Sequence, residues 1–164
     1  MKRLYLIRHA KSSWKHQDLD DFDRPLNNRG KRDAPNMGKR LKEQNAAPDL
    51  LLSSPANRAL TTAETIAGEI GYPIENIEAD EDIYLAGVTT LLTVIKNITN
   101  DHHTVFLFGH NPGFTELANA LANIRIDNVP TCGIVCIDFE IASWKQVGVG
   151  KGTLVSFEYP KQFI

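Results

Sequence analysis

The stretch LYLIRHAKSSW, Leu4 to Trp14, decides how the rest of the chain is read. Leu4–Ile7 is an apolar run of strand length that stops abruptly at Arg8-His9. Small and polar residues follow from Ala10 to Ser13. Continuous apolarity, without alternation, marks a strand buried on both faces, as in the middle of a parallel sheet. Such a strand carries a guanidinium and an imidazole to the carboxyl edge of the sheet. That edge is where open α/β sheets bind ligands.

Working outward, four more runs have strand length and strand composition: Leu50–Leu52, Thr104–Phe108, Gly133–Phe139 and Thr153–Tyr159. Helical patterns separate the earlier ones. Arg29–Gln44 is rich in helix formers, with Pro35 expected near its first turn or at a kink. Ala56–Ile70 ends at Gly71, a C-terminal cap. Val88–Ile98 and Gly113–Asn123 carry apolar residues on one face. Alternation of strand and helix through about residue 125 predicts a mostly parallel sheet with helices on both faces. The last strands, joined across Ser143–Gly152, predict an antiparallel edge. The expected fold is a mixed-sheet α/β/α sandwich forming one domain over residues 1–164.

Composition excludes several classes. The net charge is -2 and the sequence pI about 6.2, which does not suit a nucleic-acid binder held by overall charge. Two cysteines, Cys132 and Cys136, are too few for a disulfide framework, and four residues apart on a strand they face one way into the core. No apolar run reaches membrane-spanning length, and the run after Lys2-Arg3 is too short for a signal peptide. The expected location is the cytoplasm. His102, His103, His110 and the cysteines match no familiar zinc spacing, so no metal site is expected from them. His102-His103 is placed at a helix C-terminus, where imidazolium suits the dipole.

Three strand ends share one chemical character. The first ends in Arg8-His9, the second in Ser53-Ser54-Pro55 with Arg58 a turn further on, and the Thr104–Phe108 strand in Gly109-His110-Asn111-Pro112. Taken singly, each has a bland reading: a surface dipeptide, a solvated helix arginine, a turn histidine. If the strands are parallel neighbours, two arginines and two histidines converge. Guanidinium forks match phosphate oxygens, and a histidine can attack phosphorus. The set predicts phosphoryl transfer.

LYLIRHAKSSW, SSPANRALTTAETI (Ser53–Ile66) and FLFGHNPG (Phe106–Gly113), in this order, resemble the histidine phosphatase superfamily, which includes phosphoglycerate mutase. Within it they are similar to the small SixA-type phosphohistidine phosphatases. DRPLNNRG (Asp23–Gly30), EIASWK (Glu140–Lys145) and YPK (Tyr159–Lys161) support the likeness. Ala10 departs from the family's Arg-His-Gly. The resemblance implies a phosphoglycerate mutase-like fold, a transiently phosphorylated His9, and no metal or organic cofactor. It also implies a phosphate pocket of Arg8, Arg58 and His110, with Ser12 nearby and Lys11 at its rim. The substrate expected from it is phosphohistidine on a signalling or phosphotransfer protein. A small phosphate ester and a non-catalytic phosphate-binding module are the alternatives.

Relatives that cleave esters use a carboxylate to protonate the leaving oxygen. Glu81 and Asp82, in ADEDIYLAG (Ala79–Gly87), are the candidates, with Asp18, Asp20, Asp21 and Asp23 as another source. All six also read as a solvated acidic surface. A phosphatase without a placed acid favours phosphoramidates, whose imidazole leaves readily, over alkyl esters.

Overall fold

Uninterrupted apolar strands and one-sided helices assemble as their patterns require. A computed structural model describes residues 1–163. Its six-stranded sheet consists of β1 (Lys2–Arg8), β2 (Leu50–Ser53), β3 (Glu78–Ala79), β4 (Thr104–Gly109), β5 (Ile134–Phe139) and β6 (Gly152–Glu158), in the order β3-β2-β4-β1-β5-β6. β3, β2, β4 and β1 run parallel, whereas β5 and β6 are antiparallel additions. β1 lies inside the sheet, paired with β4 and β5.

Residues on β1 alternate between two cores. Leu4 and Leu6 pack with α3 (Val88–Lys96) and α4 (Gly113–Ala122). Tyr5 and Ile7 pack with α1 (Asn28–Glu43) and α2 (Asn57–Ile70). Two helices therefore cover each face, giving the expected three-layer α/β/α sandwich. Because both faces are covered, the central strands carry no polar alternation.

Some details differ from the sequence reading. Glu78–Ala79 is a two-residue edge strand whose exposed, polar composition gives no strand signal. Pro35 is the eighth residue of α1, which continues through it with one backbone donor missing. α3 ends at Lys96, so His102 and His103 are not at a helix terminus; they lie in the turn before β4, where Asp49 accepts from the His103 and Thr104 N–H groups. Cys132 is not on β5: it precedes the strand with φ 60, and only Cys136 is a strand residue. Both are nevertheless buried on the α1/α2 side. The β5–β6 connection carries structure of its own: Ser143 caps a turn at Trp144–Gln146, and the buried Trp144 donates from its indole to the His102 carbonyl. Among the described residues no helix is long and apolar enough to cross a membrane.

Candidate active site

β1, β2 and β4 are parallel neighbours, so their carboxyl ends open on one edge. The backbone fixes the end of β1 tightly. The Arg8 N–H donates to Gly133 O, the His9 N–H to Gly109 O, and the Cys132 N–H to both the Arg8 and His9 carbonyls. The Ala10 N–H donates to the Thr62 hydroxyl at 2.9 Å, and that hydroxyl donates to Arg58 O at 2.7 Å. The loop after β1 is thereby tied to the first turn of α2. On its other side, the Lys11 carbonyl accepts from the Asn27 N–H. Gly30 is required beneath it, because a Cβ there would stand 2.2 Å from Lys11 O.

Arg8, His9, Lys11, Ser12, Arg58 and His110, all singled out in the sequence, line one cavity of about 160 Å³. The His9 and His110 ring centroids are 5.3 Å apart. His9 is buried, and its Nδ1 lies 2.7 Å from the Ala10 carbonyl, which can only accept. Nδ1 therefore carries the proton and Nε2 is left with its lone pair. Burial lowers the His9 pKa to about 3; the Ala10 carbonyl opposes this, and His110, Arg58 and Arg8 add to it. His110 Nε2 lies 2.8 Å from Ser54 Oγ. Its pKa is lowered to about 4 by burial, then by Arg58 and Arg8, against the opposing charge of Asp21. Both rings are neutral near pH 7.

The guanidiniums are held differently. Arg8 Nη1 donates to the Val129 carbonyl at 2.9 Å. Arg58 donates from Nη1 to Asp21 O at 2.6 Å and from Nη2 to Asp21 Oδ2 at 2.9 Å. Among the described residues, Arg8 Nε, Arg58 Nε and His110 Nδ1 are buried and have no partner. Buried polar atoms without partners are rare in folded proteins. The two orphaned N–H groups call for acceptor oxygens, so the cluster suits an oxyanion.

Sequence reading missed part of the wall. Arg24 lines the same cavity and donates from Nη2 to Ser12 Oγ at 2.6 Å, from Nε to Ser13 O at 3.1 Å and from Nη1 to Asp21 Oδ1 at 3.0 Å. Trp14 stacks on its guanidinium at 3.3 Å. Tyr84 donates to Asp21 Oδ2 at 2.6 Å and meets the His110 ring edge-on. Arg24 precedes Pro25 in an irregular segment, so no strand pattern pointed to it. Glu81 and Asp82 sit on an exposed turn and do not line the cavity. Of the aspartates after β1, only Asp21 joins the cluster. Burial works to raise its pKa, but hydrogen bonds from Tyr84, Arg58 and Arg24 win and hold it below the usual carboxylate range. Among the described residues no three His, Cys, Asp or Glu side chains are grouped to hold a metal ion.

A three-layer α/β/α sandwich with a cationic, histidine-bearing pocket at the carboxyl edge of its sheet suits a protein that handles phosphate-like anions. Residues 4–85 match the histidine phosphatase superfamily (branch 1). An uncharacterised chloroplastic protein of Arabidopsis thaliana is 33% identical over 153 residues, covering 88% of this chain and 70% of its own length. A protein of Agrobacterium tumefaciens assigned as the phosphohistidine phosphatase SixA superposes with a TM-score of 0.84 at 28% identity, over 97% of this chain and 98% of that one. The protein histidine phosphatase SixA complexed with tungstate shares the fold, with a TM-score of 0.84 at 21% identity over 99% of each chain. The chain belongs to the histidine phosphatase superfamily, and its class of activity is that of a phosphatase, a hydrolase of phosphorylated substrates.

Proposed function

We propose that this phosphatase acts through a phosphorylated His9 and that its substrate is phosphohistidine on a protein. His9 Nε2 attacks phosphorus, and Arg8, Arg58 and His110 hold the equatorial oxygens with Ser12, Lys11 and Arg24 at the wall. The P–N bond to the leaving imidazole breaks as the Nε2–P bond forms. Water then hydrolyses phospho-His9, releasing phosphate and restoring the ring.

One observation carries the substrate class. Among the described residues the only carboxylate reaching the cluster, Asp21, is committed on both oxygens to Arg58, Arg24 and Tyr84. A carboxylate stabilised in its ionised form has no proton to give an alkoxide. Phosphohistidine asks for less, because a protonated imidazole leaves as a neutral ring. The assigned activity of the Agrobacterium neighbour agrees with this reading.

The test compares turnover of free phosphohistidine and a phosphohistidine protein with a panel of alkyl phosphate esters. The expected result is at least about a hundredfold preference in kcat/KM for the phosphoramidates, the usual scale of general-acid catalysis that the esters forgo. Equal or better turnover of an alkyl ester refutes the substrate class. A His9→Ala variant that keeps full activity refutes the nucleophile.

A further inference from the structure

The rim of the pocket is more apolar than a phosphate site requires. Trp14, at 72% exposure, and Leu85, at 56%, both line the pocket mouth. Leu19, at 40%, lies in the same loop region as Trp14. Single exposed apolar residues are ordinary, but several around one concavity mark an interaction site. Trp14 and Leu85 are also held in place. Trp14 is stacked on Arg24. Leu85 sits at φ 51, a left-handed conformation that is costly for a bulky side chain. The next residue, Ala86, is packed so closely on α4 that a Cβ at Gly113 would stand 2.0 Å from its carbonyl oxygen. Rigid aromatic and aliphatic anchors are what a docking surface uses.

Behind the Trp14–Arg24 stack lies a second hollow of about 270 Å³, lined by Trp14, His16, Gln17, Leu19, Asp21 and Arg24. Trp14 and Arg24 form a wall common to the hollow and the pocket. A ligand confined to the pocket leaves the hollow open, whereas a polypeptide with its phosphoryl group in the pocket can reach the hollow across the shared Trp14 wall. The charged groups lining it are mixed: Arg24 against Asp21. That mixture offers nothing to a polyanion and leaves the Trp14 and Leu19 faces as the attractive part.

We infer that the Trp14–Leu19 hollow seats an apolar side chain that flanks the phosphorylated residue of a protein substrate, so that the enzyme reads sequence next to the phosphate. This rests on the phosphohistidine-protein reading above. Leu19 is the residue to change, because it lines the hollow and not the pocket.

Two short peptides carrying one histidine phosphorylated by phosphoramidate, with leucine or with serine at the flanking positions, test the inference together with free phosphohistidine. Burial of a leucine in place of serine is expected to give the wild type a roughly tenfold higher kcat/KM on the leucine peptide. Leu19→Ser is expected to reduce that preference below about twofold, Leu19→Met to keep it, and both to hydrolyse free phosphohistidine like the wild type. Equal rates on the two peptides with free phosphohistidine turned over, or an undiminished preference in Leu19→Ser, overturn the docking inference alone. Failure to hydrolyse all three phosphohistidine compounds while an alkyl ester is cleaved overturns the substrate class and the docking inference with it. Sedimentation of wild type and Leu19→Ser covers the rival occupant: a dimer lost in the variant, with no peptide preference, assigns the patch to a second copy of the chain and overturns the proposal.

Discussion

Acidification should destabilise this fold through His9 and His110, and the sign follows from their burial. Both pKa values are depressed in the folded chain, from 6.5 to about 3 and to about 4 respectively. In the unfolded chain both rings titrate at the ordinary value, so below that pH the unfolded state binds two protons that the folded state refuses. The stabilisation is fully present above the unfolded value and is lost as pH falls toward the folded values. Each group contributes a slope of up to about 1.4 kcal/mol per pH unit, so from about pH 7.5 to about pH 5 the pair removes about 4 kcal/mol. Against a typical total of about 5–15 kcal/mol, that is a large fraction.

Urea titrations at a series of pH values measure this directly, as a fall in the midpoint at constant m-value. A His9→Gln, His110→Asn double variant should lose most of the slope. Saturating tungstate should also flatten it, because an anion between the rings favours their protonated forms. A wild-type stability constant within about 1 kcal/mol over that range would refute the assignment of both rings as buried and neutral. The same depression sets the activity profile. The His9 lone pair is available far below the ordinary histidine pKa in the free enzyme, so the acid limb of kcat/KM belongs well under pH 6.5.

Further outcomes follow from particular contacts. Gly30→Ala drives a Cβ into the Lys11 carbonyl and should cost about 1–3 kcal/mol or more in thermal or urea unfolding, with kcat/KM falling too because that carbonyl belongs to the pocket loop. Arg58→Lys cannot reproduce the paired donation to Asp21 and should weaken inhibition by tungstate or vanadate by about tenfold or more, a change read from the inhibition constant. At Leu85 the usual order of substitutions should invert: with φ 51, Leu85→Gly should be more stable than Leu85→Ala by about 1 kcal/mol in urea unfolding. Trp144→Ala removes a fully buried ring and its bond to the His102 carbonyl, and should lower stability by about 3–5 kcal/mol.

What could be read from the sequence, and what could not, divides along a physical line. Arg8, His9, Arg58 and His110 were legible because each follows a strand whose burial is written locally, in runs such as Leu4–Ile7 and Val105–Phe108. Parallel pairing of β2, β4 and β1 then does the rest, since strands that run the same way put their ends on the same edge. Asp21 had no such signal. Asp18, Asp20, Asp21 and Asp23 stand in one irregular loop with the same chemistry and nearly the same neighbours. What distinguishes Asp21 is contact with Arg58 and Tyr84, brought in from α2 and from the loop before α3. Those contacts bear on the chemistry as well as the placement. The acidic loop read both as a second source of a leaving-group proton and as a solvated surface; its one carboxylate at the cluster, Asp21, is bound by Arg58, Arg24 and Tyr84. Under the proposed mechanism, the cations, neutral imidazoles and ionised carboxylate of this pocket stabilise a transferring phosphoryl group, and the leaving group departs without a proton from the enzyme.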